Sequence, residues 1–309
     1  MATRRKYVNN IYLVTNYVTN HIRLEYKPAQ PLVIARVTDP STGHKQLWDM
    51  SRPLEYNCEL EVFDYDSKEG QSTFWHSSAH LLGQAIEEHY KNIQLCDGPA
   101  LSSEDQHGGG FFYEFQLGDK NMSVNAEDYA NIEEIVRRAV KKGHPFERML
   151  VSKEFAMKMF GYNPFKVDLL NHIPADEPIT VYKSGTFIDL CRGPHISNTA
   201  IVKAFNVTKT SSAYYLGDPN GLPLQRMYGI SFPDKNMLAD WKRIREEIQK
   251  RDHRVVGKSQ KLLMFSSLSP GRYASQLQYN YSRPFAVHSF YRTVHASTTN
   301  WLNSCATNI

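Results

Sequence analysis

Two short runs far apart in the chain, HSSAH at His76 to His80 and FIDLCRGPH at Phe187 to His195, constrain its fold more than any other feature. The first lies in a segment, Ser72 to Tyr90, where Phe74, Ala79, Leu82, Ala85 and Ile86 recur at helical spacing. His76 and His80, four residues apart, therefore share one helix face. In the second, Cys191 and His195 are separated by Arg192, Gly193 and Pro194. A Gly-Pro break after an apolar run reads as a strand entering a turn. A helix edge meeting that strand end gathers three imidazoles and a thiol, a set suited to a tetrahedral metal or to activating water against an ester.

Either pair alone has an ordinary explanation. A His-x-x-x-His on an amphipathic helix arises by chance, and a lone cysteine is usually a small buried hydrophobe. Both pairs together, with Asp189 and Arg192 adjoining the second, point to a site.

The 309 residues, 41% of them hydrophobic, supply material for a sizeable core and for more than one domain. Polar residues interrupt every apolar run, so a membrane-spanning chain is not expected. Four scattered cysteines without a C-x-x-C pair fit a reducing compartment, and the cytoplasm is the default location. Arg4, Arg5, Lys6 and Arg23 precede the first acidic residue, Glu25, as in a transit peptide. Residues 7–18 lack an amphipathic helical pattern, which makes organelle import the lesser reading. A net charge of +4 is a weak sign of an anionic partner. Its distribution says more: Arg137, Arg138, Lys141 and Lys142 close one expected helix, and Lys242, Arg243, Arg245, Lys250, Arg251 and Arg254 decorate another. For the first cluster a solvated helix end is the simpler account.

The pattern along the chain is α+β. Leu32–Val37, Lys45–Trp48 and Cys58–Phe63 read as strands of a small β module, with a turn at Asp39 to Gly43. An acidic stretch, Asp64 to Gly70, separates this module from the His-bearing helix, which Ser72 can cap, and places a boundary near residue 70. A Gly-rich loop at Gly108 to Gly110 leads into the aromatic strand Phe111–Leu117. Helices are expected over 127–142, stopped by Gly143, and over 153–160. Strands follow at 166–170, 180–182, 187–191, 204–208 and 214–216, then a return over 224–230 after the Gly217-Asp218-Pro219-Asn220-Gly221 turn. A helix over 235–251 carries Leu238, Trp241, Ile244 and Ile248 on one face. From His253 onward the chain has no acidic residue and periodicity fades. Its aromatic content is high for disorder, so residues 272–309 read either as a disordered tail or as sequence unrelated to the rest.

The runs WHSSAH, GFFYEF, FIDLCRGPH, LQRMYGISFPD and KRDHRVVGK, in that order, resemble the amino-terminal region of threonyl-tRNA synthetases of the eukaryotic cytosolic type. The resemblance covers about residues 31–270, including LSPG at Leu268 to Gly271, where that family's catalytic domain begins. It implies an unassigned segment at 1–30, an incomplete TGS-like module at 31–69, and a tRNA editing domain of the threonyl/alanyl type at 70–256. The start of a catalytic domain would occupy 257–271. It further implies hydrolysis of serine wrongly attached to threonine tRNA. The need is physical, since one methyl group separates the two amino acids and a pocket built for the larger discriminates by only about 1–3 kcal/mol.

Carried over by motif, His76 positions or activates the water, and Lys166 in NPFKV orients it or stabilises the oxyanion. Asp189 and His195 hold the amino group or hydroxyl of serine. Tyr113 lines the pocket, with His80, Cys191 and Arg192 as further substrate-binding residues, and Cys191 serves packing and polarity rather than nucleophilic attack. The resemblance points to a metal-free mechanism, while His76, His80, Cys191 and His195 remain the alternative zinc set. No class II catalytic motif follows residue 271, so a truncated relative without an ATP site or ligase activity is expected. An oligomer is not expected either, because the family dimerises through the catalytic part. The expected partner is the acceptor end of threonine tRNA carrying serine. The alternatives are a non-catalytic fragment that binds tRNA or a protein partner, and, last, a zinc-dependent hydrolase of another ester.

Overall fold

The structure is a computed structural model that describes residues 5–8, 31–102, 109–118, 124–174, 176–260, 263–265 and 273–275. Most of the segment 1–30, Gly108, the LSPG run and nearly all of 272–309 lie outside the described residues. The chain divides into two compact units, Met1–Ala239 and Asp240–Ile309. The fold is a mixture of helices and sheets, α+β as the sequence pattern indicates.

The first unit opens with a four-stranded antiparallel sheet in the order β1-β4-β2-β3. Its strands are β1 (Arg5–Val8), β2 (Leu32–Thr38), β3 (Lys45–Trp48) and β4 (Cys58–Asp64). One face closes over Ala35, Val37, Trp48, Met50, Leu54, Cys58, Leu60 and Val62, a small core of its own. Alternation along β2 turns Arg36 to the other face, where it pairs with Glu61 and with Glu69 of the following helix.

That helix, α1 (Lys68–His89), begins a turn earlier than the sequence pattern suggests. Ser67, not Ser72, is the cap, its hydroxyl accepting from the Gly70 amide at 3.1 Å. The acidic stretch therefore supplies the first turn, with Glu69 near the positive helix end. Only glycine fits at position 70, since a Cβ there would lie 1.9 Å from the Asp64 carbonyl oxygen. All five apolar positions read as inward, Phe74, Ala79, Leu82, Ala85 and Ile86, are fully buried.

α1 rests on a second sheet in the order β11-β12-β7-β5, with β6 (Ala100–Leu101) also paired to β7. Here β5 is Gln94–Leu95, β7 Gly110–Gln116, β11 Ala204–Tyr214 and β12 Pro223–Phe232. The short strand expected at 204–208 extends to Tyr214 as β11, and the strand expected at 214–216 is instead largely a 3-10 turn over Tyr215–Gly217. The polar stretch of β11 holds because β12 pairs with it from Ala204 to Tyr214, through one register shift between Val207 and Lys209. Helix α2 (Ala126–Lys142) buries Ile132, Ile135, Val136 and Ala139 and stops at Gly143, whose φ of 68° is left-handed.

A third sheet, β10-β9-β8, joins β8 (Phe146–Val151), β9 (Ile179–Ser184) and β10 (Phe187–Leu190). Two short helices, α3 (Lys153–Phe160) and α4 (Pro164–Asn171), share its core through Ala156, Phe160 and Leu170. The second corrects the strand expected over 166–170. Asn163 caps the Phe165 and Lys166 amides and Pro164 stands at the first helical position, a start signal that outweighs the short apolar run.

Helix α5 (Lys235–Lys250) spans the division between the units; Ile244 and Ile248 on its apolar face are exposed. In the second unit a further helix, α6 (His253–Ser259), occupies a region where the sequence shows fading periodicity. A two-stranded pair follows, β13 (Leu263–Phe265) with β14 (Tyr273–Ser275). No helix among the described residues is long and apolar enough to cross a membrane.

Candidate functional site

α1 delivers His76 and His80 from one face, and the loop after β10 brings Cys191 and His195 to meet them. Cys191 Sγ lies 3.3 Å from His76 Nε2 and 3.3 Å from His195 Nε2. The imidazole centroids of His76, His80 and His195 are 4.5–5.2 Å apart. The four potential ligand atoms fall within 4.8 Å of one another. His80 and His195 are buried at the floor, while His76 and Cys191 are only partly covered.

Beside this cluster sits a buried carboxylate hub. Asp189 accepts from Lys166 Nζ at 2.8 Å, from the Leu190 amide at 2.8 Å and from Tyr113 Oη at 2.6 Å, and His80 Nδ1 lies 3.5 Å away. Lys166 comes from the first turn of α4 and Tyr113 from the centre of β7. Tyr113 fits because glycines flank its ring: a Cβ on Gly83 or Gly98 would come within 2.6 or 2.5 Å of it. Lys166 Nζ has Asp189 as its one partner among the described residues. An ammonium carries three N–H groups, so two remain to be satisfied.

Ser77 fixes the orientation of His195. Its single O–H donates to the Thr73 carbonyl at 2.8 Å, so its oxygen accepts from His195 Nδ1 at 3.0 Å and from the Ile196 amide at 3.1 Å. The proton of His195 is thereby on Nδ1, and a lone pair on Nε2 faces Cys191. The ring stacks on Phe146 at 4.7 Å and meets the edge of Tyr182 at 4.4 Å.

Burial sets the charge states. Desolvation lowers the pKa of His76, lowers His195 strongly, and brings His80 down to about 3 against the opposing pull of Asp189. It pushes the Cys191 thiol up to about 12, although the Gly193 amide favours the thiolate. Burial also opposes ionisation of Asp189 and Lys166, but their mutual attraction outweighs it, and the acid moves down while the base moves up. At neutral pH the cluster is three neutral imidazoles and a thiol next to one ion pair.

These donors fit a zinc ion in kind. The two sulfur–nitrogen spacings of 3.3 Å approach the edge of a tetrahedron built on metal–ligand bonds of about 2.0–2.3 Å, while the full set spreads to 4.8 Å and would have to draw in around an ion; His195 presents an unprotonated Nε2. Of the residues singled out from sequence, His76, His80, Tyr113, Lys166, Asp189, Cys191 and His195 come together. Arg192 is exposed, with no hydrogen bond or ion pair to the cluster among the described residues. Asp49, Ser77 and Tyr182 belong to the same network and were not anticipated. Ser77 lay in view inside HSSAH, whereas nothing in the local sequence marks Asp49 or Tyr182.

Residues 179–228 match the family model of the threonyl and alanyl tRNA synthetase second additional domain. A probable cytoplasmic threonine–tRNA ligase 1 of Dictyostelium discoideum is 48% identical over 235 residues, covering 76% of this chain and 32% of its own length. A mitochondrial threonine–tRNA ligase 1 of Arabidopsis thaliana is 49% identical over 227 residues (74% and 31%). The human cytoplasmic threonine–tRNA ligase 2 is 42% identical over 243 residues (79% and 28%). The chain is homologous to threonine–tRNA ligases. It spans about a third of the length of these relatives. Within that homology, the matched domain holds Asp189, Cys191 and His195, while His76, His80, Tyr113 and Lys166 reach the site from outside the matched span.

Proposed function

We propose that residues 70–256 act as an editing domain that hydrolyses serine from mischarged threonine tRNA, in the cytoplasm, with residues 31–69 as an incomplete TGS-like module. The observation that carries this reading is the meeting of the neutral His76–Cys191–His195 cluster with the buried Lys166–Asp189 pair. In this scheme water, held by the free-base His76, attacks the ester carbonyl carbon. The proton it loses passes to the leaving ribose oxygen as the carbon–oxygen bond breaks, giving free serine and tRNA. The two N–H groups of Lys166 not used by Asp189 are suited to water or to the developing oxyanion. Asp189, with both oxygens engaged, acts by holding Lys166, His80 and Tyr113 in place. In this scheme His195 and His80 wall the seryl group on the buried side, backed by the Phe146 and Tyr182 rings. Cys191, with its thiolate disfavoured, serves as a polar wall rather than a nucleophile. In the same scheme Arg192, exposed beside it, meets a phosphate of the incoming tRNA end.

The donor set favours one second reading, a zinc ion held by His76, His80, Cys191 and His195; four protein ligands close a tetrahedral site, so such an ion would lower the pKa of a water only by taking that water as a fifth ligand. The first reading is tested by incubating the chain with seryl-tRNA(Thr) beside His76→Ala and Lys166→Ala. Each variant is expected to release serine at least about 100-fold more slowly. Equal release by all three would leave only a fragment that binds tRNA without turnover.

A further inference from the structure

Asp49 belongs to the first sheet's module, in the turn after β3, yet its carboxylate is 5% exposed and points at the other half of the fold. Oδ1 accepts the His195 amide at 2.7 Å, and Oδ2 accepts the Tyr182 hydroxyl at 2.7 Å. Each partner controls a different part of the hydrolytic loop. The first bond fixes the backbone of His195, whose ring faces Cys191. The second holds the Tyr182 phenol, whose ring edge meets the His195 imidazole 4.4 Å away. The same phenol lies against Gly193, where φ is 70° and a Cβ would fall 2.3 Å from its oxygen. Tyr182 thus presses on the middle of the Cys191–His195 connection. Asp49 itself is anchored by its neighbours: Trp48 is buried and donates its indole N–H to the Arg52 carbonyl at 3.3 Å, and the Arg52 amide donates to the Asp49 carbonyl at 3.1 Å.

From this geometry we infer that Asp49 is a positioning residue for the hydrolytic site, so that the amino-terminal β module is a working part of that site rather than an appended domain. A buried carboxylate opposed by desolvation is held by its bonds, and here one goes to the His195 amide and the other to Tyr182 of β9, whose ring lies against His195 and Gly193. Losing them lets His195 and Cys191 shift relative to His76, and a displacement near 1 Å at a reacting centre is worth about 100-fold in rate. Substrate contacts stay in place, so the loss falls on kcat.

The inference rests on the proposed hydrolysis, and the experiment separates the two. Asp49→Ala, Asp49→Asn and Leu60→Ala are made in the full chain. Leu60→Ala cuts the same module's core without touching the latch. Deacylation of seryl-tRNA(Thr), thermal unfolding and the amide resonance of His195 are measured for each. Asp49→Ala is expected to lower kcat about 100-fold with KM unchanged, and to move the His195 amide upfield as its carboxylate partner disappears. Asp49→Asn keeps an acceptor for His195 and a polar partner for Tyr182, and restores most of the rate. Leu60→Ala lowers the unfolding temperature and leaves kcat and the His195 resonance near wild type. Losses in Asp49→Ala and Leu60→Ala that merely track stability would overturn the inference, as would an unmoved His195 amide in Asp49→Ala. Should the wild-type chain release no serine, the hydrolytic reading fails, and the latch then stands or falls on the resonance.

Discussion

Lys166 Nζ lies 2.8 Å from Asp189 Oδ1, with the two side chains only 5% and 6% exposed. A pair this deep is held together less by net stabilisation than by the cost of separating it. Removing one partner leaves a buried charge uncompensated, worth about 3–5 kcal/mol, whereas removing both can be nearly neutral.

Lys166→Met and Asp189→Asn should therefore each lower stability by about 3 kcal/mol or more, while the double variant loses less than the sum. Urea unfolding of all four proteins measures the coupling, and strict additivity would mean that the two groups do not form a pair in solution. Activity should be lost in all three variants, including the double variant that regains stability.

Acid should loosen the fold through the histidine cluster. The folded pKa values of His76, His80 and His195 lie below the ordinary value of 6.5 because burial disfavours the imidazolium. The unfolded chain therefore binds more protons between the two values. The stability they contribute is complete above about pH 6.5 and falls as pH drops toward the folded values, near 3 for His80, at up to about 1.4 kcal/mol per pH unit for each histidine. Asp189 adds to this only at lower pH, since its depressed folded pKa preserves its contribution until the pH falls through that value. Unfolding free energies should be level from pH 7.5 to about 6.5 and decline from there to pH 4.5, and His80→Gln should flatten the slope. A flat wild-type profile would mean that the imidazoles are solvated.

Gly98→Ala should act on the site through Tyr113 without touching a polar group. The added methyl would lie 2.5 Å from the ring and displace it from Asp189. Overpacking of this kind costs about 1–3 kcal/mol. Serine release should fall together with the unfolding temperature, and a second change that shrinks the ring, Tyr113→Leu, should recover the stability but not the release. Gly83→Ala, on the other side of the ring at 2.6 Å, should behave in the same way.

Metal content distinguishes the two chemical readings. Protein purified without added metal is expected to contain well under one zinc per chain, and the serine release proposed for it should survive chelation. Stoichiometric zinc, with activity lost on chelation and restored by zinc alone, would assign His76, His80, Cys191 and His195 to an ion and take from His76 the role of holding the water, which would then need a fifth coordination position.

Much of the site was legible in the sequence because its chemistry is carried by rare residue types in short runs. Two histidines at i, i+4 must share a helix face whatever surrounds them, and a Cys and a His around Gly-Pro must flank a turn. Longer motifs tied those runs to a known family. The fold departs from the sequence pattern where a local start signal outweighs the apolar run and where a distant partner extends a strand. Lys166 lies in a helix because Asn163 and Pro164 start one, and β11 is continuous because β12 supplies hydrogen bonds that no local pattern can announce.

The sequence by itself determined which imidazoles and which thiol were available, the helix that carries the first pair, the turn that carries the second, and the kinship with threonine–tRNA ligases. Only the tertiary structure decided that these groups would be neutral, that Ser77 would place the proton of His195, and that Asp49 would reach across from a separate sheet to hold it. The reason is that charge state and orientation depend on desolvation and on partners distant along the chain. Both come into being only when the core closes and water leaves.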